Sequence, residues 1–435
     1  MVRASTAYRF ATLASCAFLG SAAPHGTPTS TWASDAADLP VVEVLTMSPG
    51  EALYTRWGHA ALRVLDPRTK LDAVYNYGSI DLSPGFMRRM LKGEVEAFLH
   101  VGRYDDMFET YAEKEDRTIE RRRLNLDWRA TERLIRRLRN EARGPRWTYR
   151  YDHFADNCSS RVADVIDDAL QGALSSAYSS PHRATYRQLA LSVLEGHPGL
   201  YVAVDTALSP HTDAPISRWD SRFLPSELAS LLDDATIDGR PLVREKEEVY
   251  RSKNVWIPHA THPWPWLWVY VFVTLPLLGC AFRWPRVASA ILGLTTSLIG
   301  LGLWVLQLGT TYPFLLGNAN LIVFPVSNVL ILVGVVCSGK HSGQPSPLPP
   351  QTPLPPRSLT SPSPSPSPSP TSASRPLRRW GQRALRIYWM VWAGALVALC
   401  GANISGVVTQ CVLPQCLALL PVVFFLAFRR SSPGR

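Results

Sequence analysis

From Ile387 to Phe428 the chain runs for 42 residues without one charged side chain. That is too long for a single crossing of a bilayer, which takes about 20 apolar residues as a helix. It fits two helices joined by a hairpin, with Asn403, Ser405 and Gly406 as turn residues between Gly401 and Gln410. Trp266 to Phe282, Val287 to Leu308 and Asn320 to Cys337 are also uncharged, and each has the length of one span. The sequence therefore predicts an α-helical membrane domain of about five transmembrane helices, three within 264–338 and two within 387–428.

The chain before this region is charged and rich in arginine and tryptophan. Residues 1–23 begin with Arg3 and Arg9, continue through an apolar run from Phe10 to Gly20, and end in Ser21, Ala22 and Ala23. That is the pattern of a secretory signal. Thr12 to Cys16 also resembles a lipoprotein signal box, but the apolar stretch before Cys16 is meagre, and processing near Ala23 is the preferred reading. An exported domain at 24–263 follows.

Basic residues in short loops stay on the cytoplasmic side, and the loop charges agree with export. Arg283 and Arg286 fall inside, and the uncharged loop Gly309 to Ala319 falls outside. Lys340 to Arg386 returns inside, the uncharged Gly401 to Gln410 turn lies outside, and the tail at 429–435 ends inside with Arg429, Arg430 and Arg435. The net charge of +10 is thus partly a topology signal, and no nucleic-acid partner is inferred from it. Residues 339–386 are dominated by proline and serine, with a Ser-Pro repeat from Ser361 to Pro370, and read as an extended cytoplasmic linker.

Within the exported domain, Val41 to Thr46, Trp57 to Leu65, Leu71 to Gly78 and Arg117 to Leu126 read as strands. Asp105 to Glu115, Trp128 to Arg143 and Cys158 to Leu170 carry helical spacing. The fold class is α+β, with helices on an antiparallel sheet. Residues 175–263 give no resolvable pattern.

Cys158 is the one cysteine of that exported domain. Asn157 is a good helix cap, and Val162, Ile166, Ala169 and Leu170 place Cys158 on the apolar face of the helix that starts there. The first turn of a helix favours a thiolate, and a thiolate is a nucleophile. A buried structural cysteine is the plain alternative. An oxidising compartment, however, leaves few structural cysteines unpaired. Cys411 and Cys416 could reach Cys158 from the outer membrane face, or could pair with each other.

A thiol nucleophile needs a base, usually histidine. His59, at a strand start in Trp57–Gly58–His59–Ala60, is favoured over His153, which is five residues before Cys158 and poorly placed to face it across a helix start. Asp152, His153, Asp156 and Cys158 match no closed zinc spacing, so no metal and no cofactor are expected.

At His59 and Cys158 together the chain resembles the Lnb-type bacterial lipoprotein N-acyltransferases. Their exported domain is a permuted member of the NlpC/papain-like cysteine fold. The resemblance rests on Trp57 to Val64 (WGHAALRV), Tyr75 to Phe86 (YNYGSIDLSPGF), Tyr149 to Asp164 (YRYDHFADNCSSRVAD), Phe223 to Leu228 (FLPSEL) and Gly317 to Pro325 (GNANLIVFP). These cover about residues 40 to 335 and leave out the linker and the last two spans. Ser159 and Ser160 stand where relatives often have threonine, and Tyr312 stands where a histidine is often found.

The resemblance implies that Cys158 is the nucleophile and His59 its base; Asn76, on the next strand, is placed to orient the imidazole as a third member, with an ordinary strand-end asparagine as its plain alternative. Arg161 and Asn157 are expected to contact substrate, Arg161 through a phosphate or carboxylate, with a surface ion pair as its plain alternative. Asn318 and Asn320 are expected to line a lipid access site unless they merely cap a helix. The implied activity moves an acyl chain from a membrane phospholipid, through a Cys158 thioester, to the N-terminal amine of a diacylglyceryl-cysteine lipoprotein. The implied location is the bacterial inner membrane, with the catalytic domain in the periplasm. A papain-like thiol hydrolase acting on cell-wall peptides and a non-catalytic membrane scaffold are the alternatives.

Overall fold

Val41–Met47, His59–Asp66 and Leu71–Ile80 form β1, β2 and β3 of an antiparallel sheet, β1 and β3 being rich in β-branched and aromatic residues. The computed structural model describes residues 39–81, 83–143, 148–253, 265–339 and 374–429. The expected signal segment and residues 340–373 of the linker lie outside the described residues. After β3 come α1 (Phe86–Lys92), β4 (Glu96–Gly102) and α2 (Tyr104–Phe108), which runs on as a π-helical turn over Glu109–Lys114. Then follow β5 (Ile119–Leu124), α3 (Trp128–Arg143), β6 (Thr148–Arg150) and α4 (Cys158–Ala169).

The stretch without a legible pattern contains α5 (Ala173–Ala177), α6 (Tyr186–Ser192), α7 (Pro198–Ala207) and α8 (Pro225–Asp234). A small hairpin of β7 (Thr236–Ile237) and β8 (Arg240–Pro241) leads into β9 (Val243–Tyr250). The main sheet has the order β6-β4-β3-β2-β1-β5-β9, and all its pairings are antiparallel.

Strand alternation sends side chains to two faces. Val44, Ala60, Leu62 and Tyr75 meet α3, α4 and α8 in the larger core. Leu45, Met47, Ala61 and Val74 face Met107, Ala112 and Tyr111 of the α2 segment. Arg117 and Arg122 are buried. Arg122 is held by Glu120 and Asp233, and Arg117 by Glu115 and two backbone carbonyls.

The apolar part consists of α9 (Pro265–Val269), continued by a π-helical turn into α10 (Leu275–Arg283), then α11 (Pro285–Gly309), α12 (Asn320–Val323), α13 (Val329–Gly339), α14 (Ser374–Ile404) and α15 (Leu413–Phe428). Among the described residues, Pro285–Gly309, Pro313–Val335 and Arg383–Ile404 are long and apolar enough to cross a membrane, and Tyr270–Arg283 and Leu413–Phe428 are shorter apolar helices. The second of these runs is broken at Pro325, between α12 and α13. At the break the Phe324 carbonyl lies where a Cβ on Gly300 would stand, 2.0 Å away. Just past the break Ser297 Oγ donates to the Val326 carbonyl at 3.3 Å, and buried Asn328 donates to Thr296 Oγ1 at 2.8 Å and accepts from the Tyr388 hydroxyl at 2.8 Å.

A buried ion pair joins the two parts. Arg187 donates to Asp205 Oδ1 at 2.8 Å and to Asp213 Oδ1 at 2.7 Å. The other Asp205 oxygen accepts from Trp266 at 3.0 Å and from Gln415 of α15 at 3.1 Å.

Candidate functional site

The local sequence sets the cysteine at the first residue of α4. Asn157 has extended backbone geometry, and its Oδ1 accepts from the N–H groups of Ser159 and Ser160, both at 2.9 Å. Ser160 Oγ accepts in return from the Asn157 N–H at 2.8 Å, completing a capping box. Asn157 Nδ2 donates to the carbonyls of His153 at 2.8 Å and Phe223 at 2.9 Å. Both donors and both acceptor positions are therefore engaged inside the protein. The expected substrate contact by the Asn157 side chain is replaced by a structural role, because the cap leaves it no spare hydrogen-bonding capacity.

His59 opens β2 opposite Met47 of β1. Continuing the β2 and β3 register from Leu62 and Tyr75 puts His59 and Asn76 on one face of the sheet as diagonal neighbours. Asn76 Oδ1 lies 3.3 Å from His59 Nε2, so Nε2 carries the hydrogen and Nδ1 is left as the basic nitrogen. Tyr111 stacks on the ring, with centroids 5.5 Å apart.

Cys158 arrives from the helix layer on the opposite face. It can approach because the β3 ladder is irregular between Asn76 and Ser79, and because Gly78, at φ +79°, has no side chain. A Cβ on Gly78 would lie 3.1 Å from Cys158 Cβ. Cys158, His59, Asn76 and Gly78 line one cavity of about 310 Å³.

The electrostatics correct one expectation. Burial raises the Cys158 thiol above its ordinary value, although N–H groups of Ala60, Ser159 and Cys158 itself and the Arg117 charge pull the other way. Burial also lowers His59 to about 4, helped by Arg117 and opposed by Asn76. The helix start does favour a thiolate, but desolvation outweighs it. Near neutral pH the pair is a thiol beside a neutral imidazole.

Cys158 also lines a second, apolar cavity of about 290 Å³ that adjoins the first through Tyr54, Gly58 and Met90, with Phe86, Phe154, Leu208 and Phe314 in its wall. The thiol is thus the shared boundary of a polar and an apolar space. His153 belongs to both, with its ring against Tyr151, Tyr312 and Phe314.

The family model described as the Lnb N-terminal periplasmic domain matches residues 28–191. This domain belongs to the Lnb-type family. The chain is accordingly a membrane protein with a periplasmic domain. Neither a curated protein nor a solved structure matches it at a significant level.

Within the Lnb-type domain, Arg161 forms a two-pronged ion pair with Asp156 and lies over the Tyr149 ring at 4.5 Å, bracing the turn into α4. Asn318 and Asn320 lie outside the Cys158 cavities and are buried at the membrane junction. Asn318 donates to the carbonyls of Thr206 and Ala207 at 2.8 Å, and Asn320 donates to that of Thr206 at 2.9 Å, so their amides cap the end of α7. Asp152 Oδ1 accepts from Phe154 N and Ala155 N, and no group of three or more His, Cys, Asp or Glu among the described residues is arranged to hold a metal. Cys158, Cys411 and Cys416 are free thiols.

Sequence reasoning missed Gly78, Tyr111 and Arg117. The first is needed for close approach, Tyr111 stacks on the His59 ring, and the Arg117 charge lowers the His59 pKa. Tyr312, where a histidine was noted in relatives, is buried and donates to the Tyr151 carbonyl at 3.1 Å, docking the loop between α11 and α12 beside the site.

Proposed function

We propose that this protein is a cysteine-dependent acyltransferase of the bacterial inner membrane, taking an acyl chain from a phospholipid and giving it to the N-terminal amine of a diacylglyceryl-cysteine lipoprotein. The observation that carries this reading is the position of Cys158 between a polar cavity holding a base and an apolar cavity suited to an acyl chain. The order of histidine strand before cysteine helix also fits a permuted NlpC/papain-like domain.

In the first half-reaction, His59 Nδ1 takes the thiol proton as Sγ attacks the ester carbonyl. The S–C bond forms, and the charge that develops on the carbonyl oxygen falls to the backbone N–H of Cys158, which the Asn157 cap does not engage. Collapse breaks the ester C–O bond, and His59 returns the proton to the departing lysophospholipid oxygen. In the second half-reaction the lipoprotein amine attacks the thioester. His59 accepts the amine proton and returns it to the leaving sulfur, giving the amide and the thiol. Asn76 holds the ring in the tautomer this cycle needs, and Arg117 disfavours a permanently charged imidazolium.

The test is lipoprotein mass spectrometry in cells lacking their own N-acylation enzyme. The wild-type protein is expected to add one acyl chain, and Cys158→Ala or His59→Ala to add none. Release of free fatty acid with no N-acylated product would favour a hydrolase, and unchanged lipoproteins despite correct insertion would overturn the transferase reading.

A further inference from the structure

The cavity on the apolar side of Cys158 does not stand alone. A larger one of about 1040 Å³ lies among α9, α10, α11, α15 and the exposed flank of α7, and Leu91 and Ala207 belong to the walls of both. We propose that the two form one acyl-chain path from the bilayer to Cys158. Its occupant is the fatty acyl chain of the donor glycerolipid, with the carbonyl carbon at Sγ and the tail between α10, α11 and α15. The inference rests on the acyltransferase reading and adds where the donor enters.

Three observations support this occupant over a soluble ligand. The lower walls are hydrocarbon, supplied by Leu277, Ile299, Leu303, Leu306, Leu419 and Val422 from three membrane helices. Phe272, Val273 and Val305 in those walls are more than half exposed, so the space opens sideways toward lipid tails. At the upper end α1 packs against α11, with Met87 and Leu91 exposed beside basic Arg88 and Lys92. That composition suits the level of the headgroups. An extended chain is the ligand shape that fits two apolar spaces joined end to end.

The full-length protein is placed in vesicles of phosphatidylethanolamine and phosphatidylglycerol, and acyl-Cys158 is followed by intact mass. Ala207→Trp and Leu91→Trp fill the junction between the cavities. Each is expected to slow acylation at least tenfold, while Leu308→Trp, on an exposed α11 position outside both cavities, stays within twofold of wild type. Junction variants acylating within twofold of wild type would overturn the path. In case a junction variant fails to fold, wild-type protein is also irradiated with a phosphatidylethanolamine carrying a mid-chain diazirine. Label on α11 and α15 peptides facing the cavity supports the path, and label confined to the outer helix surfaces overturns it. If the wild type forms no acyl-Cys158 while iodoacetamide still reaches the thiol, the acyltransferase reading fails, and the cross-linking pattern judges the path separately.

Discussion

Gly78 decides whether the site can exist, because it is the point where the helix layer reaches through to the histidine face. Its φ of +79° costs a residue with a side chain about 1–2 kcal/mol, and a Cβ there would crowd Cys158 at 3.1 Å. Gly78→Ala is expected to leave a folded protein with at least a tenfold loss of acyl-Cys158 formation, checked by intact mass alongside thermal unfolding. The state of the pair can be read from pH. Cys158 has a raised pKa and His59 a lowered one of about 4, so neither is charged at pH 7. Alkylation of Cys158 by iodoacetamide should be slow at pH 7 and climb above pH 9; a rate already high and flat from pH 5 would reveal a resting ion pair and contradict this. The same shift on His59 couples to stability. Below the unfolded value of 6.5 the unfolded chain binds a proton that folded His59 refuses until about 4, so stability falls through that window as pH drops. The loss is about 1.4 kcal/mol per pH unit, and His59→Gln should remove that contribution from urea denaturation measured across the range.

At the scale of elements, α4 depends on one residue. Asn157→Ala removes two N-cap bonds, worth about 1–2 kcal/mol, and strips two buried carbonyls of their donor. The expected result is lower stability together with a less reactive Cys158, with partial rescue by Asn157→Asp, which restores only the accepting half. This helix was legible because its cap and its apolar spacing lie within a dozen residues. β1, β2, β3 and β5 were legible for a similar reason, since each has a face in a core. β9 was not: Val243–Tyr250 reads VREKEEVY, an edge strand with most side chains in water, and its place is set by ladder bonds to β5 that leave no apolar signature. The stretch from α5 to α8 escaped because its helices are short, with α6 fixed by the buried polar contacts of Arg187 and only α8 burying an apolar stripe, Leu228, Leu231 and Leu232. Cys158 and His59 announced themselves by residue type, whereas Gly78 needed a backbone angle and Arg117 a fold before either meant anything.

At the scale of the whole molecule, the apolar runs marked the membrane helices, but not the break at Pro325 or the way the helices grip the exported domain. That grip is polar and buried: Arg187 with Asp205, Asp205 with Trp266 and Gln415, and Gln410 donating to Leu208 O at 2.9 Å and to Asn318 Oδ1 at 2.8 Å. Asp205→Ala leaves buried Arg187 with Asp213 as its remaining carboxylate partner and strips Trp266 and Gln415 of their acceptor; it should cost about 1–3 kcal/mol, seen as faster proteolysis of the detergent-solubilised protein around α7. Both glutamines lie after α14, in the hairpin and helix outside the resemblance, and α15 also supplies Leu419 and Val422 to the larger cavity. A chain ended after Gly339 keeps the exported domain and the preceding helices but loses those amides and that wall. It should insert, show cleavage near α7, and form acyl-Cys158 at least tenfold more slowly. The pair Gln410→Leu and Gln415→Leu removes the amides and keeps the wall, so it should reproduce the cleavage with a smaller loss of acylation. If the shortened chain acylates at the wild-type rate, α14 and α15 serve assembly alone, and the acyl chain must run along α10 and α11 without them.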